Sequence, residues 1–309
     1  MEIIRSHYNI RPEHHGCVAT IGNFDGVHLG HQAVLGQLSK EAKKLGLPEV
    51  VITFEPYPQE FFAKSDQCYR LTKFREKSDA LNKFLVDRLL LLRFNQKFAN
   101  IEAKQFIKEI LVKKLGVKFL VVGDDFCFGK GRLGNYELLK EMGRQLGFKV
   151  ARMATFQIEN ERVSSTRIRN ALFTGDFNLA NKLLGRHYKI SGKVCSGAKL
   201  GRTIGFPTAN ILLHRRRCVL NGVFIVNVDG LGNKSVPGVA NIGVRPTVKG
   251  GQESRLEVHL FDFSSDIYGR HLDVNFIEKI RDEIKFDSFE DLKLQISCDS
   301  DHAKAYFNL

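Results

Sequence analysis

The segment Gly22-Asn23-Phe24-Asp25-Gly26-Val27-His28-Leu29-Gly30-His31 gathers glycines, a carboxylate and two histidines three residues apart within ten positions. Phosphate chemistry suits that set. A glycine turn lets backbone N–H groups approach an anion, and a helix start adds orphan donors and the positive end of its dipole. His28 and His31 share one face of a first helical turn, where both rings can reach one triphosphate. Two other readings compete. The turn can be simple packing, since H-x-x-H is a short motif. It can also bind metal, but with no nearby Cys and Asp25 as the lone carboxylate, a zinc ligand set is incomplete.

Further stretches carry chemistry of their own. Gly123 to Asn135 combines Asp124, Asp125, Phe126, Phe128, Lys130 and Arg132 with four glycines in one loop. Ser164-Ser165-Thr166-Arg167-Ile168-Arg169 sets hydroxyls before arginines at a helix start, which is a phosphate grip or an ordinary N-cap. Gly197 to Asn210 is a glycine loop that lacks the G-K-[ST] ending of a Walker loop. Thr208 and Asn210 alternate along an extended segment, so both face one side and can meet a hard cation such as Mg²⁺, or simply hydrogen-bond within the core. Glu257 alternates with apolar residues, as a base or as an exposed strand carboxylate, together with His259 and Phe261.

The elements that must position these residues change in kind along the chain. Up to about residue 185, short apolar runs (17–21, 50–54, 89–94, 119–122, 150–153) alternate with helical patterns at 28–45, 72–84, 100–115 and 135–146. That alternation predicts a parallel α/β sheet, with ligands beyond the carboxyl ends of its strands. Thr72, Asn100 and Asn135 are the expected caps. A helical pattern stops at Gly185, and strands are then predicted at 188–194, 222–228, 236–242, 256–261 and 272–277, which suggests a small barrel. Two helices, 288–296 and 301–307, close the chain, with Ser288 as N-cap. The expected domains are therefore 1–185 and 186–309.

Composition narrows the class of protein. At 309 residues and 43% apolar content the chain can hold two globular cores. The net charge of +13 is dispersed, as suits a soluble enzyme handling anionic phosphates; His214 to Arg217, with Arg215, Arg216 and Arg217, reads as a solvated loop, with nucleic-acid or partner binding as the alternative. Six cysteines form no C-x-x-C pair or zinc spacing, which predicts reduced thiols. A signal-peptide core and a membrane-length apolar run are both missing, so a cytoplasmic enzyme is expected.

The string G-x-F-D-G-x-H-x-G-H resembles the signature of the nucleotidylyltransferase superfamily, and in this form that of bacterial bifunctional riboflavin kinase/FMN adenylyltransferases (FAD synthetases). Other motifs agree in order: T-F-x-P-H-P at Thr53 to Pro58, with Tyr57 in the histidine's place; G-x-D-F-x-F-G at 123–129; S-S-T-x-I-R at 164–169; G-F-P-T-A-N at 205–210; and E-x-H-L-x-D-F at 257–263. Asn241 to Thr247, with Arg245, resembles another kinase segment. Cys127 and Asn135 stand where the family has Arg and Asp.

The resemblance implies a Rossmann-like nucleotidylyltransferase domain of α/β class and a riboflavin kinase β-barrel with terminal helices. It implies that the chain phosphorylates riboflavin with ATP to FMN, then adenylylates FMN with a second ATP to FAD and pyrophosphate. Asn23, His28, His31 and Arg167 would act on the transferring phosphates, with Gly22, Phe24, Asp25, Gly30, Ser165 and Thr166 binding nucleotide. Asp125, Phe126, Phe128 and Asn135 would line the flavin site. In the kinase half, Gly201 and Arg202 would bind nucleotide, Thr208 and Asn210 would hold Mg²⁺, and Glu257 would be the base. The implied partners are small molecules, with no dedicated nucleic acid partner and no membrane; oligomeric state is left open. A transferase for another phosphorylated acceptor would leave the kinase-like half unexplained, and a basic RNA-binding protein would lack the aromatic-rich signatures of such modules.

Overall fold

The computed structural model describes all residues except 64–68, 198–200, 202–204, 214–217 and 247–251, and gives only the backbone of 244–246 and 252–253. The expectations for Arg202, for Arg215 to Arg217 and for the Arg245 side chain lie outside the described residues.

Strands β1 (Glu2–Arg5), β2 (Cys17–Ile21), β3 (Glu49–Glu55), β4 (Arg88–Arg93), β5 (Val117–Gly123) and β6 (Lys149–Met153) form one sheet in the order β1-β4-β3-β2-β5-β6. Every pairing is parallel. Both faces are covered, as continuous apolar strands require. Cys17, Ala19 and Ile21 pack under helices 106–114 and Tyr136–Leu146, whereas Val18, Val51 and Val121 pack under Leu29–Leu45 and Phe74–Asn82. The chain runs from β2 outward to β3 and β4, then returns to lay β5 on the other side of β2. The carboxyl ends of β2 and β5 therefore adjoin where strand order reverses, which is where open α/β sheets place ligands.

The helix starts differ from the expected ones in two places. Phe74–Asn82 is capped by the Glu76 carboxylate, which accepts the Lys73 N–H at 2.6 Å, while Thr72 is turned inward onto Asp25. The helix expected from Asn100 begins at Ala103 and continues as the π-helix Phe106–Lys114. Asn135 does cap Tyr136–Leu146, its Oδ1 accepting the Leu138 N–H at 3.0 Å.

Strands β9 (Lys189–Cys195), β10 (Thr208–Leu212), β11 (Gly222–Asp229), β12 (Val236–Pro246), β13 (Gln252–Leu260) and β14 (His271–Arg281) close into an antiparallel barrel. Phe224, Val226, Ala240, Ile242, Leu256, Val258, Val274 and Phe276 are buried within it. One helix, Phe289–Phe307, follows instead of two, with Ser288 as its N-cap. Residues 297–300, between the two expected helices, are helical too, and Asp299 is buried there, gripped by the Arg281 guanidinium at 2.7 and 3.0 Å and by Gln295 one turn earlier. A paired, hydrogen-bonded carboxylate is tolerated inside a helix interface where a bare one is not.

Contacts divide the chain into Met1–Cys68 with Thr72–Ser164, and Tyr69–Leu71 with Ser165–Leu309. Helices Ser165–Thr174 and Phe177–Leu184 thus group with the barrel, where the Phe177 ring meets Phe224 at 5.8 Å. Gly185 ends the second helix in the left-handed conformation (φ 69°), the stop expected from its sequence.

Candidate functional site

The turn after β2 is held from behind. Asp25, 2% exposed, accepts the Thr72 N–H at 2.9 Å and the Thr72 hydroxyl at 3.1 Å on Oδ1, and the Tyr57 hydroxyl approaches the same oxygen at 3.4 Å. Thr72 Oγ1 in turn accepts the Gly26 N–H at 3.0 Å. Gly22 donates its N–H to Ile52 and Val27 donates its own to Phe24. Much of the turn's backbone is therefore used to shape it, and the glycines serve conformation and close approach. Gly26 sits at φ 82°, and a Cβ on Gly22 would lie 3.1 Å from the Phe24 ring.

His28 is the N-cap of Leu29–Leu45, where its Nδ1 accepts the His31 N–H at 3.3 Å. The two imidazoles stack 3.7 Å apart, with Phe24 beyond at 4.8 Å from the His31 ring. An acceptor Nδ1 puts the proton of a neutral His28 on Nε2, so that edge is a donor. Gly30 makes the stack possible, because a Cβ there would lie 3.2 Å from the His28 ring. Burial, followed by His28 and the charges of Lys77 and Arg162, holds the His31 pKa well below the ordinary histidine value, so His31 is a neutral hydrogen-bonding ring. Its Nδ1 is buried without a hydrogen-bond partner among the described residues, an exception that calls for a ligand or a functional reason.

The loop after β5 stands at the adjoining carboxyl end. Phe126 and Phe128 stack with centroids 5.4 Å apart and nearly parallel planes, and Phe128 joins Gly134 through paired backbone bonds of 3.0 and 2.9 Å. The glycines press this loop onto Ala103, which a Cβ at Gly129 or Gly134 would approach to 2.7 Å. Asp125 is exposed and pairs with Arg162 at 2.7 Å, while Asn135 spends its side-chain oxygen on its helix cap. The exposed Cys127 lies between the two rings in sequence.

Sequence reading passed over Lys77 and Arg162. Lys77 looks like one of many solvated charges, but it stands one turn before Leu81 on the face that packs inward, the one available signal. Arg162 comes from the hairpin β7 (Gln157–Ile158) and β8 (Glu161–Arg162), too short to leave a pattern. Ser165, Thr166 and Arg167 form the first turn of Ser165–Thr174, as the motif implied.

In the barrel, strand register gathers the expected kinase residues. Asn210 faces Glu257 directly, which faces Asn241 on the next strand; Thr208 faces His259. Directly opposed residues share a sheet face with Cβ atoms about 5 Å apart. Their neighbours Val258 and Ala240 fill the interior, so Thr208, Asn210, Asn241, Glu257 and His259 lie on the outer face. Farther along these rows Val223, Ile225 and Val239 lie beneath Phe289–Phe307. Gly197 and Gly201 lie against the same face: a side chain at Gly197 would overlap the Asn210 amide, and one at Gly201 would lie 3.3 Å from Thr208 Oγ1. His259 Nδ1 donates to the Pro207 carbonyl at 2.9 Å, which fixes the backbone just before Thr208. Burial lowers the His259 pKa and Lys304 adds to the effect, while the Pro207 bond opposes it.

Among the described residues no three His, Cys, Asp or Glu side chains group as metal ligands. A cation here must rely on few protein oxygens and on substrate phosphates, the habit of Mg²⁺. Thr208 and Asn210 offer such oxygens, and Gly197 and Gly201 stand so near them that a Cβ on either would fill the space beside those oxygens. Among the described residues no helix is long and apolar enough to cross a membrane.

Comparison with known proteins agrees in both halves. The FAD synthetase family model matches residues 10–167 and the riboflavin kinase family model matches residues 184–307. The bifunctional riboflavin kinase/FMN adenylyltransferase of Pseudomonas fluorescens is 50% identical over 305 residues, covering 99% of this chain and 97% of its own. That of Escherichia coli (strain K12) is 49% identical over 310 residues, covering 100% and 99%. A crystal structure from Streptococcus pneumoniae, described as a macrolide-efflux protein, superposes with a TM-score of 0.82 at 34% identity over 97% of each chain. On a parallel sheet with its glycine and histidine turn, a closed barrel with its polar face, and full-length relatives, the chain belongs to the bifunctional riboflavin kinase/FMN adenylyltransferase family.

Proposed function

We propose that the two activities of this family divide at about residue 185, with FMN adenylylation in 1–185 and riboflavin phosphorylation in 186–309. The adjoining carboxyl ends of β2 and β5 carry the first assignment, because one brings the histidine turn and the other the Phe126 loop. In that site the FMN phosphate attacks the α-phosphorus of ATP in line and pyrophosphate leaves. No protein nucleophile is required; orientation and charge stabilisation supply the rate. The Nε2–H of His28 and the neutral ring of His31 donate to phosphate oxygens, and Asn23, with Gly22, Phe24 and Gly30 around it, orients them. The resemblance to the family's S-S-T-x-I-R motif gives Ser165, Thr166 and Arg167 the departing pyrophosphate. Asp25 serves the nucleotide through the turn it braces. Phe126 and Phe128 offer flat faces to the isoalloxazine, with Asp125 and the Asn135 amide at its polar edge.

The Asn210–Glu257 register pair carries the kinase assignment. The Glu257 carboxylate takes the proton of the ribityl 5′-hydroxyl as that oxygen attacks the γ-phosphorus of ATP, the bond to the β,γ-bridging oxygen breaks and ADP leaves. Thr208 and Asn210 would hold Mg²⁺, which supplies charge neutralisation on the phosphates when bound. The resemblance adds Gly201 to the nucleotide site, and Arg202 as well, although the latter lies outside the described residues. The partners are ATP, riboflavin and FMN, without a dedicated nucleic acid partner. Cys17, Cys127, Cys195, Cys218 and Cys298 form no disulfide among the described residues, which suits the cytoplasmic setting expected from the sequence.

Two variants test the division. Glu257→Gln is expected to abolish FMN formation from riboflavin while supplied FMN is still converted to FAD, and His31→Ala is expected to do the reverse. Chromatographic product analysis reads both. Loss of both activities in a folded single variant refutes two separate sites.

A further inference from the structure

Lys77 is completely buried, yet the reaction outlined above gives it no part. Its Nζ donates to the Asn23 carbonyl at 2.9 Å and to Thr53 Oγ1 at 3.1 Å, and lies 4.4 Å from the Tyr57 ring centroid. Thr53 Oγ1 donates to the same Asn23 carbonyl at 3.3 Å. Buried ammonium groups are costly and are kept where their bonds are needed. The bonds here fall on the most strained part of the turn. Phe24 and Val27 occupy the left-handed region at φ 49° and 41°, conformations that non-glycine residues, and β-branched ones above all, avoid.

We propose that Lys77 is a positioning residue for adenylyl transfer, an ammonium set behind the phosphate turn that fixes the Asn23–Phe24 peptide. A trans peptide holds its C=O and N–H in opposite directions. With the Asn23 carbonyl drawn inward to Lys77 and Thr53, the Phe24 N–H is turned the other way, out of the interior. The same charge reaches the reacting face through His31. Four groups face that ring: Phe24 and His28 by ring contact, Lys77 and Arg162 by charge. Both cations favour its neutral form, in which it donates to phosphate without titrating near neutrality. Tyr57, standing where the family motif has His, gives its ring face to the ammonium and its hydroxyl to Asp25. In this chain that position therefore belongs to the brace.

This inference rests on reading Gly22 to His31 as the adenylyl-transfer turn, so the test carries His31→Ala as a control for that reading. Lys77→Met and Thr53→Val are prepared in the full chain and assayed for FMN adenylylation and riboflavin phosphorylation. Lys77→Met is expected to lower the adenylylation kcat at least tenfold, with riboflavin phosphorylation unchanged. The His31 imidazole resonance of the variant should titrate at higher pH than in the parent protein, because one of the two cations that favour its neutral form is gone, and KM for FMN and ATP should stay near the parent values, a split from kcat that a general loosening of the domain would not give. Thr53→Val, which keeps the charge and removes one donor to the carbonyl, should lose adenylylation several-fold without that change in titration. If His31→Ala is inactive in adenylylation while Lys77→Met retains the parent kcat and His31 titration, Lys77 has no positioning role. Should Lys77→Met fail to fold, an unchanged adenylylation kcat in Thr53→Val overturns the proposal. Full adenylylation by His31→Ala instead refutes the site reading beneath it.

Discussion

Replacing Asp25 by alanine separates a carboxylate that braces the turn from one that acts only on nucleotide. The substitution removes the oxygen that accepts the Thr72 N–H at 2.9 Å and the Thr72 hydroxyl at 3.1 Å, and that the Tyr57 hydroxyl approaches at 3.4 Å. A hydrogen bond to a charged partner contributes about 1.5–3 kcal/mol, and orphaning a buried donor removes a similar amount. Two strong bonds and partial relaxation give a loss of about 3–5 kcal/mol for Asp25→Ala. Asp25→Asn keeps an acceptor oxygen and gives up only its charge, so about 1–2 kcal/mol is expected. For a unit of this size 1 kcal/mol moves Tm by roughly 2–4 °C, which puts the alanine variant roughly 6–20 °C below the parent. Scanning calorimetry of the ligand-free full chain reads the effect. The barrel's transition and riboflavin phosphorylation serve as internal references, because a two-domain chain need not melt in one step. An Asp25→Ala chain that melts within about 2 °C of the parent but no longer adenylylates FMN would refute the bracing role derived from these bonds.

Two other expectations follow from the histidine stack. Gly30→Ala sets a methyl 3.2 Å from the His28 ring and 3.4 Å from the Val163 carbonyl, so the ring must move. Because displacements of about 1 Å reduce catalysis on the order of 100-fold, adenylylation kcat should fall 10- to 100-fold. Riboflavin phosphorylation should be unaffected, and an unchanged adenylylation rate would show that the stack does not set His28's position. The second concerns pH. His31 has a folded pKa well below its ordinary 6.5, so between those values the unfolded chain binds the extra proton and stability rises with pH. That contribution is fully present above about 6.5 and is lost as pH falls toward the folded pKa. The Tm of the parent should therefore drop more steeply on acidification than that of His31→Gln; equal slopes would place His31 in a more solvated setting.

The parallel strands from β2 to β6 and the strands of the barrel other than β10 were legible because each is a continuous or alternating apolar run, and Gly185 because only a glycine stops a helix so cheaply in the left-handed region. Other features carry no such period. Strand β1 spans Glu2–Arg5 with only Ile4 buried, so its pairing with β4 leaves little apolar signature. Thr72 looked like a cap because its side chain suits one, and tertiary contact with Asp25 overrode that local preference. The single terminal helix was hidden by Asp299, polar in sequence yet neutralised by Arg281, which lies 18 positions away.

The two sites were legible to different depths because the two folds present side chains differently. In the barrel, strand alternation alone puts Thr208 and Asn210 on one side, and register then adds Glu257 and His259 from the next strand. A motif on a strand thus states its own geometry. In the parallel sheet the candidate residues stand on turns beyond the carboxyl ends, where spacing says little about direction. His28 reads in sequence as the first of two helical ligands, but it is the cap itself, with its Nδ1 committed to the helix. Its direction depends on Gly30, on the strained Phe24 and Val27, and on Asp25, Thr72 and Lys77 drawn from distant sequence. Substitutions behind that turn should therefore impair adenylyl transfer more often than substitutions inside the barrel impair the kinase, since buried strand register is reset only by moving a whole strand.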